Sequence, residues 1–440
     1  ALFDRFDVDY SVFIRTTERQ HETAVCALWQ KLVENGFIYK GKYGGWYCTA
    51  DETFYASSDV EEIVNTDGRK QKVGPTGRSV TWCEEENYLF RLSDFRDNLL
   101  SWLKSYDVIE PWNYRRLIED VVSRLDNDIS VSRPSSRVDW GIDVPGDSGQ
   151  KIYVWLDALV NYLTVAGYPD LLNSRWPPDV QVIGKDILKF HAVYWPAFLM
   201  AAELPLPRRI LCHSHWTVNY AKMSKSAGNV VNPYDLLEKL GQDGVRYFLI
   251  RHPVYHRDTN YSETKAVTLV NSELANSLGN LLSRCTHPKM CPNAIYPGYS
   301  GSRFPSSLPE ARELINELEG LTESVSDYYD DMRFHRGVNC VQSALRSANA
   351  FYQAAVPWKH TNDLVYVEDV NYLVFETLRI CGTLLQCIIP QLASQLLDAL
   401  SVGQNERTLA NCSLFLNSHA SPFVGRKITY NRTPLFKRLL

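Results

Sequence analysis

The sequence predicts an α/β fold, a doubly wound parallel sheet, followed by a separate all-α bundle. Three observations carry this. Between residues 151 and 264, short apolar runs alternate with helical patterns in the order strand, helix, strand, helix, strand, which is how parallel sheets are wound. Ile152-Tyr153-Val154-Trp155-Leu156 is a continuous apolar run, as expected of a strand buried on both faces. From residue 265 to 425 strand-like alternation stops, and stripes such as Val267, Val270, Leu274, Leu278 and Leu281 repeat at helical spacing.

The 440 residues allow two to four domains, and 45% hydrophobic with 22% charged content is that of a globular protein. A net charge of −5 provides no global basic field, so any nucleic-acid contact must rest on local patches. The ten cysteines have no regular spacing, so reduced thiols are expected rather than a disulfide scaffold. No apolar run reaches membrane-spanning length, and no membrane partner is expected.

In chain order, Phe13–Thr17 leads into a helix over Glu18–Asn35, where Ala24, Leu28 and Leu32 share one face and Gly36 is a stop. Ile38 to Cys48 reads as an aromatic, glycine-punctuated hairpin, with a turn over Val73–Arg78 and a strand over Val80–Trp82. The acidic triplet Glu84–Glu86 reads as a solvated helix start before Leu99, Leu100 and Leu103. A second helix covers Tyr114–Arg124, and Trp140-Gly141-Ile142 reads as a short strand between loops.

The informative region follows. Asp157 starts a helix, Gln181-Val182-Ile183 is a strand ending at Gly184-Lys185-Asp186, a helix runs from Ile187 to about Ala202, and Ile210–His213 is another strand. Ligands of such sheets bind at the carboxyl ends of the strands, where Trp155, Gly184 and His213 are placed. Trp155, Ala158 and Tyr162 recur at spacings of three and four, as do Ile187 and His191, so each set shares a helical edge. These edges read either as packed core or as an aromatic pocket. Gly184 and Asp186 by themselves suit a tight turn with a helix cap. His213 and His215 alternate along a strand end, and with no third ligand near in sequence a metal site is not expected.

The string Lys222-Met223-Ser224-Lys225-Ser226 comes next, with Gly228 free to turn and Asn232, Pro233 and Asp235 opening a helix. Two ammonium groups ahead of a helix N-terminus suit a polyphosphate, and a solvated loop is the plain alternative. Further helices are predicted near 310–328, 333–356 and 371–399, with a Pro-, Gly- and Ser-rich linker over Pro288–Pro309.

That lysine string resembles the second signature of class I aminoacyl-tRNA synthetases. Within the class, Tyr153-Val154-Trp155-Leu156-Asp157-Ala158 and Ile183-Gly184-Lys185-Asp186-Ile187 followed by Phe190-His191 are similar to methionyl-tRNA synthetases. The resemblance covers nearly all of residues 1–425. It implies the end of the first half of a Rossmann-like catalytic domain over 1–36, where Thr16, Thr17 and His21 stand, and a connective peptide with return helices over 37–140. It implies the second half of the catalytic domain with the stem-contact region over 141–264, an α-helical anticodon-binding domain over 265–425, and a tail over 426–440.

The implied activity is ATP-dependent activation of methionine and its transfer to tRNA(Met). Catalysis there rests on positioning and charge stabilisation rather than on a protein nucleophile. Lys222 and Lys225 are the implied catalytic residues, and Gly184, Asp186, His213, His215, Lys222, Ser224, Lys225 and Ser226 the ATP site, with Mg2+ accompanying ATP. Trp155, Ala158, Leu159, Tyr162, Ile187 and His191 are the implied methionine pocket, in which Tyr162 and His191 could offer weak donors to the thioether sulfur. A missing methylene alone discriminates only about 10–200-fold, so such polar contacts matter. Trp358, in Pro357-Trp358-Lys359, and Asn276 are the implied anticodon contacts.

Many relatives carry Cys-x-x-Cys knuckles in the connective peptide. Here it holds only Cys48 and Cys83, so the zinc-free type is expected, with no metal site. The wording of 151–231 is similar to animal mitochondrial members, which implies the mitochondrial matrix, and a monomer is expected. The first signature of the class, His-Ile-Gly-His, does not occur, and the family's first strand would precede Ala1. A fragment is therefore expected, carrying the second half of the active site. A catalytically inactive tRNA- or protein-binding product is the rival reading, and adenylate formation separates the two.

Overall fold

The computed structural model describes residues 2–49, 53–55, 59–64, 70–105, 107–172, 174–224, 228–252, 255–301, 308–416, 421–429 and 433–440. The chain divides into two compact units, Tyr10–His213 and the combination of Ala1–Asp9 with Ser214–Leu440.

In the first unit, three strands form a parallel sheet in the order Val180–Gly184, Arg209–His213, Ile109–Glu110. Ile109–Glu110 was hidden from sequence reasoning because a two-residue strand has no period to detect. A four-stranded antiparallel sheet is built around Ile38–Cys48 and Thr81–Phe90, paired in continuous register from Ile38↔Phe90 to Tyr47↔Thr81. The acidic triplet lies inside that second strand, not at a helix start. Glu86 stands opposite Lys42, and Glu84 and Glu86 point outward while Asn87, Leu89 and Phe90 are buried. Cross-strand charge complementarity accounts for carboxylates in a strand.

A second correction concerns residues 152–156. The antiparallel strand Asp147–Ile152 ends at Ile152, Tyr153 is extended (φ −63°, ψ 133°), and the helix Val154–Ala166 begins at once. The apolar run continues because this helix buries Leu156, Leu159, Val160 and Leu163, and a short apolar run does not separate a buried strand from a buried helix. Trp140 to Ile142 is not a strand either; Asp143–Val144 is the paired segment beside it. The core joins this helix to Arg19–Glu34 and to the helical run Lys185–Ala201, through Ala24, Leu28, Leu156, Leu163, Val193 and Phe198, each at most 2% exposed.

In the second unit, a hairpin of Trp216–Val218 and Ala221–Lys222 carries Thr259–Tyr261 as a parallel neighbour. Asn232 caps the helix Pro233–Arg251 by accepting from the Tyr234 N–H at 3.0 Å, with Pro233 in its first position. The bundle consists of a continuous helical run from Glu263 to Cys285, then Pro309–Asp330, Phe334–Ala355, Leu364–Leu385 and Pro390–Ala399. The helix predicted over 371–399 is thus two helices, parted where Pro390 cannot continue the first.

A buried ion pair locks the end of the chain onto this bundle. Arg379 and Glu376 are at most 1% exposed and meet at 2.7 Å, and Tyr296 donates to Glu376 at 2.7 Å. Arg379 also donates to the Ser413 carbonyl at 2.7 Å and to that of Asn411. The tail contacts the bundle: the Leu439 N–H donates to Asn271 Oδ1 at 2.8 Å, and Asn271 Nδ2 returns a bond to the Leu439 carbonyl. No described helix is long and apolar enough to cross a membrane.

Candidate active site

Gly184 and His213 are direct partners at the carboxyl ends of adjacent parallel strands. A Cβ on Gly184 would stand 2.8 Å from an Asp186 carboxylate oxygen and 3.7 Å from the His213 ring, so only glycine leaves Asp186 in place. Asp186 and His213 are both exposed. Sheet topology therefore brings these three predicted residues together at the carboxyl edge of the sheet.

The strand runs directly into Lys185–Ala201, which includes a π-helical segment over Phe190–Tyr194. One extra residue in a helical turn re-aims its side chains, and such bulges recur at functional sites. It turns His191 toward the helix Val154–Ala166, where Tyr162 Oη lies 2.8 Å from His191 Nε2. His191 Nδ1 lies 3.0 Å from the Ile187 carbonyl, which can only accept, so Nδ1 carries the proton. Burial holds the imidazole below its ordinary pKa of 6.5, hence neutral, and raises the Tyr162 phenol to about 12. Nε2 is then a lone pair, and Tyr162 donates to it.

Both donors that the sequence reading offered to a thioether sulfur are engaged within the protein here.

Trp155 stacks on Phe190 with centroids 3.7 Å apart and planes 11° apart, and both rings are half-buried. Ala158 and Ile187 are half-buried on the same two helices, whereas Leu159 is 1% exposed and fills the core. Sequence reasoning quoted Phe190 in a string but did not count it as a site residue. A lone aromatic at an interrupted helical phase leaves no periodic sign.

Two other residues were not counted among the site residues, although the sequence reading named His21 at the end of the first half of the catalytic domain. His21 is fully buried and clamps the pocket helix, with Nε2 at 2.6 Å from Asp157 and Nδ1 at 2.9 Å from the Thr164 hydroxyl. Arg133 is 4% exposed, donates to Ser130 Oγ and the Ser132 carbonyl, and lies over the Tyr153 ring at 4.3 Å. Its Nε has no partner, and none of the ion pairs among the described residues includes it. It sits in a serine-rich stretch that reads as loop, where nothing in the spacing marks a buried cation.

The remaining predicted nucleotide residues belong to the second unit. His215 is half-buried, and its N–H donates to Asp258 at 3.0 Å. Lys222 is exposed at the end of the hairpin. Asn229 clasps the loop by accepting from the Ser224 N–H at 2.9 Å and donating to the Lys222 carbonyl at 3.2 Å. Gly228 closes it at φ 65°. Lys225 and Ser226 lie outside the described residues.

In the bundle, Trp358 is 40% exposed, with the Arg284 guanidinium 5.5 Å from its ring and 4.8 Å from that of Tyr352. Asn276 is exposed on the π-helical segment Asn271–Gly279, beside Ser277, whose carbonyl accepts from Asn349 at 3.0 Å. Arg284 is the addition here; a single arginine on a polar helix face looks like any solvated charge. Among the described residues, no group of three or more His, Cys, Asp or Glu could hold a metal ion.

The family described as tRNA synthetases class I (M) matches residues 1–286, and with the parallel sheet and its strand-end cluster this defines a class I aminoacyl-tRNA synthetase. The chain is 44% identical over 415 residues to the mitochondrial methionine–tRNA ligase of Xenopus laevis, covering 93% of this chain and 74% of that one. Against the Homo sapiens mitochondrial methionine–tRNA ligase it is 43% identical over 457 residues, covering 100% of this chain and 77% of the relative. Its fold matches Mycobacterium tuberculosis methionyl-tRNA synthetase bound by methionyl-adenylate, with a TM-score of 0.90 at 36% identity over 99% of this chain and 85% of that one. The chain belongs to the methionyl-tRNA synthetases, the methionine–tRNA ligases of class I.

Proposed function

We propose that the segment Gly184–His191 couples the two substrates of methionine activation. One continuous stretch carries the exposed carboxylate of Asp186 beside Gly184 and, one turn later, the Ile187–His191 side of an aromatic pocket. That single observation supports the assignment of ATP ribose to Asp186, with Gly184 and His213 beside it, and of the methionine side chain to Trp155, Ala158, Tyr162, Ile187 and His191. Leu159 supports the pocket from the core.

The methionine carboxylate attacks the α-phosphorus of ATP in line, pyrophosphate leaves, and methionyl-adenylate forms. The 2′-hydroxyl of the terminal adenosine of tRNA(Met) then attacks the carbonyl and AMP leaves. Lys222 and Lys225 meet the charge that moves onto the pyrophosphate, with Ser224, Ser226 and His215 as further nucleotide contacts. Mg2+ arrives on the ATP phosphates and neutralises part of their charge. Trp358, braced by the Arg284 cation, offers a stacking face to an anticodon base, and Asn276 a hydrogen-bonding edge. The connective peptide, 37–140, carries no zinc. The names of the mitochondrial relatives support placing the protein in that organelle, and we assign it to the matrix, as a monomer.

Methionine-dependent ATP–pyrophosphate exchange tests this, on the chain as it stands and on a version extended at its N-terminus. Lys225→Ala is expected to abolish exchange, and Tyr162→Phe and His191→Ala to raise KM for methionine with KM for ATP unchanged. Exchange insensitive to Lys225 and to the pocket pair would refute the site assignment.

A further inference from the structure

The hairpin that carries Lys222 turns through Asn219 and Tyr220. Val218 pairs with Ala221 and Thr217 with Lys222, so the loop has two residues. Both have left-handed backbone, φ 51° at Asn219 and 62° at Tyr220, the mark of the tight turn that favours asparagine followed by glycine. Asparagine fits its place. Tyrosine does not, because its Cβ crowds the following carbonyl in this conformation, and bulky residues there are outliers.

The backbone is pinned there all the same. The Tyr220 N–H donates to Asn260 Oδ1 at 2.7 Å, and Asn260 sits on the parallel neighbour strand opposite Thr217. The side chain receives nothing in return. Tyr220 is 87% exposed, and among the described residues no aromatic ring or cation lies against it. A lone exposed aromatic is ordinary. One held out at a strained position is not, since strain of this kind persists at functional positions. Lys222 follows the turn by two residues and Lys225 by five in the sequence, while Asp258 accepts from the His215 N–H before the first strand of the hairpin.

We infer that Tyr220 is a stacking platform for an unpaired base of the tRNA, an inference that rests on the synthetase reading above. Every base presents a π-face, and a ring on the hairpin that carries Lys222 suits a base flanked by phosphates. The adenine of ATP shares this chemistry. A small ligand is mostly enclosed by its site, however, whereas a ring open on nearly all sides fits a base on a polynucleotide that the rest of the protein also holds.

The test compares Tyr220→Gly, Tyr220→Phe and Tyr220→Trp with the parent. The glycine variant restores the residue this turn prefers, so it melts no lower than the parent and a binding defect cannot be put down to unfolding. Expected for Tyr220→Gly are unchanged methionine-dependent exchange, unchanged KM for ATP, and a KM for tRNA in aminoacylation raised roughly fivefold or more. The aromatic variants keep the parent KM for tRNA. An unchanged KM for tRNA in the glycine variant overturns the inference, and so does a raised KM for ATP with KM for tRNA unmoved, which would give the ring to the nucleotide. Absence of exchange both in the parent and in its N-terminally extended version would count against the synthetase reading instead. Direct tRNA binding then decides this one: roughly fivefold weaker binding by Tyr220→Gly supports it, and equal binding overturns it.

Discussion

At the scale of single residues, the Tyr162–His191 pair shows how protons decide what a pocket can offer. Because Nδ1 is committed to the Ile187 carbonyl, His191 must stay neutral to accept from Tyr162. Burial depresses its pKa below 6.5, so below that pH the unfolded chain binds a proton that the folded state refuses. Protons bound preferentially by the unfolded state make stability fall as pH drops through 6.5 toward the folded value. Once pH falls to the folded value itself, Nε2 takes the proton and no longer accepts, and KM for methionine is expected to rise. Measured between pH 7.5 and 5, the rise should flatten in His191→Gln; an equal rise in that variant would locate the titrating group elsewhere. Residues with a motif around them, Lys222, Asp186 and His191, were legible in the sequence. Arg133 was not, because what sets it apart is burial beneath Tyr153, and burial of one isolated residue has no sequence period.

At the scale of elements, the pocket depends on a helix held from behind. His21 on Arg19–Glu34 reaches Asp157 and Thr164 on Val154–Ala166, with side-chain exposures of 0% and 11% at the His21–Asp157 contact. His21→Ala leaves Asp157 buried without its partner, and a loss of about 3 kcal/mol is expected in urea unfolding. A loss under about 1 kcal/mol would mean that water replaces the ring. In the bundle, Glu376→Ala strands the buried Arg379 guanidinium and should cost about 3–5 kcal/mol. Glu376→Gln should cost less, since its amide oxygen still accepts from Tyr296. Elements with long regular patterns, such as Arg19–Glu34 and Phe334–Ala355, were read correctly from periodicity. Those that failed, the run at 152–156 and the triplet Glu84–Glu86, were too short for a period or had it masked by charge pairing across strands.

At the scale of the whole molecule, composition and motif order already pointed to a catalytic α/β part followed by a helical part, and family membership agrees. Residues 37–140 contain only two cysteines, Cys48 and Cys83, too few and too far apart in sequence for Cys-x-x-Cys knuckles. A zinc-selective chelator is therefore expected to leave the melting temperature and methionine-dependent exchange unchanged, and elemental analysis to find no stoichiometric zinc. Loss of structure on chelation would contradict the zinc-free assignment.

The sequence by itself determined the class and the specificity family, the lysine string, the strand-end residues Gly184, Asp186 and His213, and the helical nature of residues 265–399. These are carried by local patterns, short enough that a residue's neighbours in the chain are also its context. Only the tertiary structure decided that Tyr162 and His191 spend their protons on the protein, that Phe190 stacks on Trp155, that Arg133 and His21 are buried, and that Tyr220 stands exposed on strained backbone. Each of these depends on which distant segment is brought alongside, and that proximity is set by packing and register across the fold rather than by spacing along the chain.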